Sequence, residues 1–86
     1  MKHAGPAALD QLEPLLVELR KYEGLRERTR GAFYRGGTAF LHFHEDPEGL
    51  FADLKLEKSA DFARFRVSTA AERKNFLSAA RKAVAS

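Results

Sequence analysis

Apolar residues at helical spacing define the first structured element of the chain. One stripe, recurring every three or four positions, consists of Leu12, Leu15, Leu16, Leu19 and Tyr22. Pro14 fits the first turn of a helix, because deeper inside it removes a hydrogen bond and clashes with the preceding turn. We therefore expect the helix to begin near residues 10–13, after a loose lead-in over residues 1–8. A kinked helix that starts near Pro6 is the alternative.

The centre of the chain alternates with a period of two, which indicates β-strands. The predicted strands are AFYR, TAFLHFH, LFADLKL and FARFRV. Gly36 and Gly37 fit the two positive-φ positions of a tight hairpin turn, which would pair Phe33 with Phe40. One face of this hairpin then contains Ala32, Tyr34, Ala39, Leu41 and Phe43. The other contains Phe33, Arg35, Thr38, Phe40, His42 and His44.

The remaining segments complete an α+β pattern. Pairing Leu41 near Ala52 makes the apolar positions of two strands coincide, whereas a slip by one residue would turn Asp53 toward the core. Thr69 and Glu72 have the spacing of a capping box, which predicts the start of a second helix. We expect the order α-β-β-β-β-α: a four-stranded antiparallel meander flanked by N- and C-terminal helices, with both helices on one face.

Length and composition limit the class of protein. The chain has 86 residues, which predicts one α+β domain over residues 1–86, and its 44% hydrophobic and 31% charged residues are ordinary for a soluble domain. It contains no Cys, so disulfides and thiolate chemistry are excluded. No apolar run approaches the ~20 residues that span a membrane. We expect a cytoplasmic protein with no membrane contact and no cofactor.

The second face of the sheet suggests an interaction surface. If the helices cover one face, the other presents Phe33, Phe40 and Phe51 beside His42. A monomer normally avoids an exposed aromatic patch of this kind. We therefore expect a non-enzymatic domain that forms a homodimer or binds a partner through this face. A ligand groove and cover by the N-terminal segment are the alternatives.

Arginines on the predicted strands allow a different function. The net charge is +3, and the basic residues on or beside the strands include Arg30, Arg35, Arg64 and Arg66. Arginine beside exposed aromatic rings can bind a phosphate backbone and stack on bases. Nucleic-acid binding is therefore the alternative function, although no RNP-type motif is present.

The segment FLHFHEDPEG raises the question of metal chemistry. His42 and His44 are two residues apart on one strand, so both imidazoles point to the same face. The carboxylates available as a third ligand are Asp46 and Glu48 in the following loop and Asp53 on the same face, and Glu48 is the candidate. A zinc site usually takes three or four protein ligands, so this set is incomplete and we expect no high-affinity site. A metal-dependent enzyme using His42, His44 and Glu48 is the third hypothesis.

The segment GAFYRGGTAFLHFHEDPEGLFADLKL resembles a family of small bacterial proteins of unknown function that carry an FLHFHEDPxGLFADL-like segment. The resemblance extends over about residues 12–84 and implies no activity. The leading helix, the glycine hairpin and the DLKL strand at residues 53–56 are also similar to the MmcQ/YjbR-like family of double-wing DNA-binding proteins. That second resemblance implies DNA binding, but it offers no functional residue to assign.

Overall fold

Six strands and two helices follow one another along the chain in a computed structural model that describes residues 1–57 and 61–85. In chain order the elements are β1 (Lys2–His3), α1 (Pro6–Leu19), β2 (Arg26–Thr29), β3 (Ala32–Arg35), β4 (Thr38–Asp46), β5 (Gly49–Lys55), β6 (Phe62–Arg66) and α2 (Ala70–Ala85). Neither described helix is long and apolar enough to cross a bilayer.

The strands form one antiparallel sheet. Five of them lie in the order β2-β3-β4-β5-β6, and β1 pairs with β4. Because β5 occupies one edge of β4 from Leu41 to Asp46, β1 lies on the same edge as β3, beyond the point where β3 ends. Strand β4 is therefore the centre of the sheet and the one strand with three partners among the described residues.

The predicted fold class is confirmed, but the number of strands is larger than expected. The structure is α+β, with an antiparallel sheet flanked by N- and C-terminal helices. The additional strands are β1, which falls in the expected lead-in, and β2. A two-residue strand has no periodicity to detect. The sequence RERT of β2 has no apolar alternation, so neither strand leaves a pattern in the sequence.

A β-bulge changes the expected faces of the β3–β4 hairpin. Tyr34 pairs with Ala39 as predicted, but Phe33 pairs with Leu41, so Phe40 is an extra residue on β4. The predicted pairing of Phe33 with Phe40 is therefore wrong. Both rings lie in the core, with 1% and 4% of their surface exposed, and not on the second face. The placement of Ala32 and Tyr34 on the core face is wrong as well, because both alternate with the buried Phe33. In the turn, Gly36 alone of the two glycines has a left-handed φ, at 61°.

In the pairing of β4 with β5, the paired side chains lie on the expected faces, but the register differs from the predicted one. Leu41 pairs with Leu54 and Phe43 with Ala52, two positions away from the predicted pairing of Leu41 with Ala52. Because the shift is even, every side chain stays on its expected face. This face packs against both helices in one core. The largest fully buried side chains of this core are Phe33, Phe76, Leu12, Leu16, Leu19, Leu41, Leu54 and Val67.

The helix starts follow two different signals. Helix α1 begins at Pro6 and contains Pro14 in its interior, so the alternative with an early start is the one observed. At α2 the predicted capping box is confirmed. The Glu72 amide donates to Thr69 Oγ1 at 3.1 Å, and the Thr69 amide donates to Glu72 Oε1 at 2.9 Å.

Candidate metal centre

The second half of β4 presents two imidazoles on the sheet face opposite the helices. His42 pairs with Asp53 of β5, and Asp53 pairs with Arg64 of β6. Successive residues of a strand point to opposite faces, so His44 lies on the same side as His42. The apolar residues Leu41 and Phe43 point to the core from the same strand. The strand therefore separates an apolar face from a histidine face.

Strand β1 adds the third histidine of the chain to this face. His3 pairs directly with His44. The chain is held there by the Ala4 amide, which donates to the Phe43 carbonyl at 3.1 Å, and by the Gly5 amide, which donates to the Glu45 carboxylate at 2.6 Å. Sequence reasoning assigned His3 to a loose lead-in and missed it. The one available signal was that His3 is the only histidine outside the H-x-H pair.

The three rings form a tight cluster. His3 stacks on His44 with ring centroids 4.9 Å apart, and His42 meets His44 edge to face at 4.8 Å. One nitrogen from each of the three rings lies within 4.8 Å of the other two. Tetrahedral zinc, with Zn–N bonds of about 2.0–2.1 Å, places its ligand atoms roughly 3.4 Å apart. Modest side-chain rotations would therefore bring three nitrogens onto one ion.

Two nitrogens of this cluster are buried and have no hydrogen-bond partner among the residues that the structure describes. They are His42 Nδ1 and His44 Nε2. Asp53 Oδ2 lies 3.1 Å from His44 Nε2, but the contact does not have the geometry of a hydrogen bond. Buried polar atoms are nearly always paired with protein, water or an ion, so these two nitrogens need an explanation.

The surroundings of His42 favour its neutral, ligand-competent form. The Phe62 ring packs edge to face against the imidazole, with centroids 4.7 Å apart. Burial lowers the pKa of His42 below its usual value, and the neighbouring His44 lowers it further. A neutral imidazole is the form that binds a metal ion.

Asp53 is the charged residue buried beside the histidines. Only 6% of its surface is exposed. Arg64 binds it with two parallel hydrogen bonds, from Nε to Oδ1 at 2.8 Å and from Nη2 to Oδ2 at 2.9 Å. These bonds hold the pKa of Asp53 below its usual value, so the carboxylate stays ionised and fixed in position. Sequence reasoning placed Asp53 on this face beside the H-x-H pair, but named Glu48 as the candidate third ligand.

The candidate residues predicted from the sequence lie in three different places: an exposed turn, the histidine face and the core. Glu48 lies in the turn between β4 and β5, where it is exposed and its amide donates to Asp46 Oδ1, so it does not join the imidazole cluster. Phe51 lies on the histidine face and is half-buried. Phe33 and Phe40 are in the core, which leaves the proposed aromatic face with His42 and Phe51.

The four candidate nucleic-acid residues all make contacts within the chain. Arg30 pairs with Asp10 and Glu13, and Arg64 pairs with Asp53. Arg66 donates to the Glu72 carboxylate and to the Glu48 carbonyl. Arg35 donates to the Ala83 carbonyl at 2.9 Å. These four arginines therefore bond to groups of the chain itself and connect different elements of the fold.

Three imidazoles and a buried carboxylate form a ligand set with a recognised chemistry. Imidazole nitrogen suits zinc and neighbouring transition metals, and three histidines leave one coordination position of a tetrahedral ion open. The Asp53 carboxylate, 3.1 Å from His44 Nε2, borders the position that such an ion would take. Comparison of the chain with models of protein families, with curated proteins and with solved structures gave no match. The chemistry of the site is therefore the guide to its function.

Proposed function

We propose that this chain is a small metal-binding protein whose site holds one zinc-like transition metal ion. The ligands are His3 of β1 with His42 and His44 of β4. One observation carries the proposal: a nitrogen from each imidazole lies within 4.8 Å of the other two, and two nitrogens of these rings are buried without a hydrogen-bond partner. A bound ion would satisfy those nitrogens in a single step.

The proposal changes the ligand set that the H-x-H motif suggested. Two imidazoles and the loop carboxylate of Glu48 form an incomplete site, which was the reason to expect weak binding. His3 takes the third position instead, because β1 pairs with β4 beside His44. Three ligands on two paired strands are better preorganised than two ligands and an exposed turn residue.

Asp53 and Arg64 have supporting roles in this proposal. Asp53 Oδ2 lies 3.1 Å from His44 Nε2, a nitrogen that would bind the ion, so the carboxylate would border the ion as an outer partner, while Arg64 holds Asp53 with two hydrogen bonds. The Arg64 charge cancels that of Asp53, so the ion is the main source of uncompensated charge at the site. Loss of such an outer partner typically weakens metal binding by about 10–100-fold.

Calorimetric titration of the untagged protein with zinc at neutral pH tests the proposal. We expect one ion per chain with a Kd of about 1 µM or below, and a rise in Kd of at least roughly 100-fold in each of His3→Ala, His42→Ala and His44→Ala. Lys2→Ala is the matched control, because this neighbour of His3 has a side chain that is 79% exposed. Equal binding by His3→Ala and the native chain would refute the three-histidine site.

The partner-binding hypothesis is supported by fewer exposed aromatic residues than the sequence suggested. With Phe33 and Phe40 in the core, the aromatic residues left for a homodimer or partner on this face, among those described, are Tyr34 and Phe51, both half-buried, and Phe62, 37% exposed. A single exposed ring is ordinary for a protein surface. Nucleic-acid binding has similarly less support, because Arg30, Arg35, Arg64 and Arg66 bond to groups of the chain itself. The metal site is therefore the function with the strongest geometric support.

A further inference from the structure

A cavity opens at the edge of β4 where its two partner strands stop short of each other. Strand β3 begins at Ala32, opposite His42, and β1 ends at His3, opposite His44. Between them, the Ala4 amide donates to the Phe43 carbonyl of β4. The cavity in this gap measures about 340 Å³. That volume is at the lower end of the range for small-molecule sites, roughly 300–1,000 Å³.

The walls of this cavity have two chemical characters. His3 and His42 form part of one wall, so an ion held by them borders the cavity. The half-buried residues Leu9, Ala32 and Ala39 form an apolar wall. Pockets that bind small molecules commonly combine a mainly apolar lining with a few polar groups that fix orientation.

The charge balance of the site favours an anion as the ligand. Three neutral imidazoles leave the charge of a divalent ion uncompensated. Asp53 does not supply the missing charge, because Arg64 already pairs with both of its oxygens. A negatively charged oxygen ligand in the open coordination position would compensate the ion in a partly buried, weakly screened setting.

We infer that the cavity binds a small monocarboxylate with an apolar body. Its carboxylate completes the coordination of the metal, and its apolar part contacts the wall formed by Leu9, Ala32 and Ala39. This inference rests on the metal site of the proposed function. It adds a ligand class to that site and predicts that both the charge and the apolar length of the ligand determine affinity.

Titration of the cobalt-loaded protein separates this inference from the proposed function. Cobalt replaces zinc because the visible spectrum of Co²⁺ reports its coordination. If the visible spectrum of Co²⁺ does not change when the protein is added, the metal site itself is refuted. Given a bound-cobalt spectrum, we expect hexanoate to shift the bands at a concentration at least tenfold lower than acetate does, because its longer chain enters the apolar wall.

Two further ligand outcomes test the inference directly. Hexanol, which has the same apolar length and no charge, should leave the bands unchanged. If hexanol shifts them as hexanoate does, or if acetate and hexanoate act at equal concentrations, the inference is refuted. A bound-cobalt spectrum that does not respond to hexanoate also refutes it, while leaving the metal site intact.

Cavity-filling variants locate the binding site. Ala39→Leu adds three carbons to a residue that lines the cavity and is not a ligand, so cobalt should bind as before while the hexanoate response weakens at least tenfold. Ala32→Val, at another lining position, is a milder second test. Ala7→Leu adds the same volume as Ala39→Leu at an exposed position of α1 and should behave like the native chain. A full hexanoate response in both cavity variants would place the ligand elsewhere and refute the inference.

Discussion

The two halves of β4 differ in the regularity of their pairing and in the side chains that they bury. From Thr38 to Leu41 the bulge at Phe40 interrupts the alternation and turns two large aromatic rings into the core. From His42 to Asp46 the pairing with β5 is regular, so alternate side chains separate cleanly between the apolar face and the histidine face. The first half is explained by packing alone. The second half carries buried nitrogens that packing leaves without partners.

This difference separates stability from function within one strand. Apolar side chains gain free energy simply by leaving water, so their presence in the core needs no further explanation. Buried imidazoles and a buried carboxylate cost free energy unless they are paired. The histidine face is therefore where a ligand would contribute stability, and the core face is where only substitutions that remove volume should matter.

Truncation of Phe33 should have the largest effect. Because 1% of its surface is exposed, Phe33→Ala should lower the free energy of unfolding by about 3–5 kcal/mol. Phe62→Ala, at a ring that is 37% exposed on the opposite face, should cost less than about 1.5 kcal/mol. Urea denaturation measures both. Equal losses for the two variants would show that the assignment of Phe33 to the core is wrong.

Zinc should stabilise the protein through the histidine face. At a free concentration about 100 times the Kd, an ion that binds only the folded state raises the free energy of unfolding by about 2.7 kcal/mol. The same zinc should leave His3→Ala almost unchanged, because that variant loses one of three ligands. Thermal unfolding with and without zinc, followed by addition of a chelator to reverse the effect, is the measurement. A chelator-reversible rise of equal size in His3→Ala would contradict the role of β1.

Neutralising Asp53 should have a smaller effect on the metal-free protein. Asp53→Asn keeps the size of the side chain but removes the charge that accepts two bonds from Arg64. Because the Arg64 side chain is 51% exposed, we expect a loss of about 1–2 kcal/mol in urea denaturation. Glu48→Gln, at the exposed turn carboxylate, is the control and should change little. If Asp53→Asn leaves the free energy of unfolding unchanged, Arg64 does not hold the carboxylate in solution.

The smallest effect concerns pH at the start of α2. The hydrogen bond from the Thr69 amide is the main cause that lowers the pKa of Glu72 below its usual 4.5. A group whose pKa is lower in the folded state stabilises the protein above the unfolded value and loses that contribution as pH falls. Glu72→Gln should therefore lower Tm by a few degrees at pH 7, and the difference should shrink as pH falls below 4.5 and disappear once the pH is below the lowered pKa of the folded state. A difference that stays constant over this range would contradict the role of the carboxylate charge.

Much of the fold could be predicted from the sequence because its signals are local and periodic. Thr69 and Glu72 define a helix start through their spacing alone. The alternation in β4 and β5 placed Leu41, Phe43 and Leu54 on the core face, even though the register was two residues different. A period of two determines which face a side chain occupies, and it leaves even shifts of register undetermined.

The parts that could not be predicted depend on non-local pairing. The bulge at Phe40 inserts one residue without changing the composition of the hairpin, so Phe33 was assigned to the wrong face. His3 joins the site through a two-residue strand whose bonds to β4 span some 40 positions of sequence. The H-x-H pair was therefore visible in the sequence, and the third imidazole required the three-dimensional pairing of β1.

The most direct test of the central claim is a histidine side-chain NMR titration. Long-range ¹H–¹⁵N spectra of the metal-free protein resolve three imidazoles, since the chain contains three histidines. On addition of zinc, all three rings should change together and the changes should end at one equivalent. Changes confined to His42 and His44, with His3 unaffected, would contradict a site built from β1 and β4.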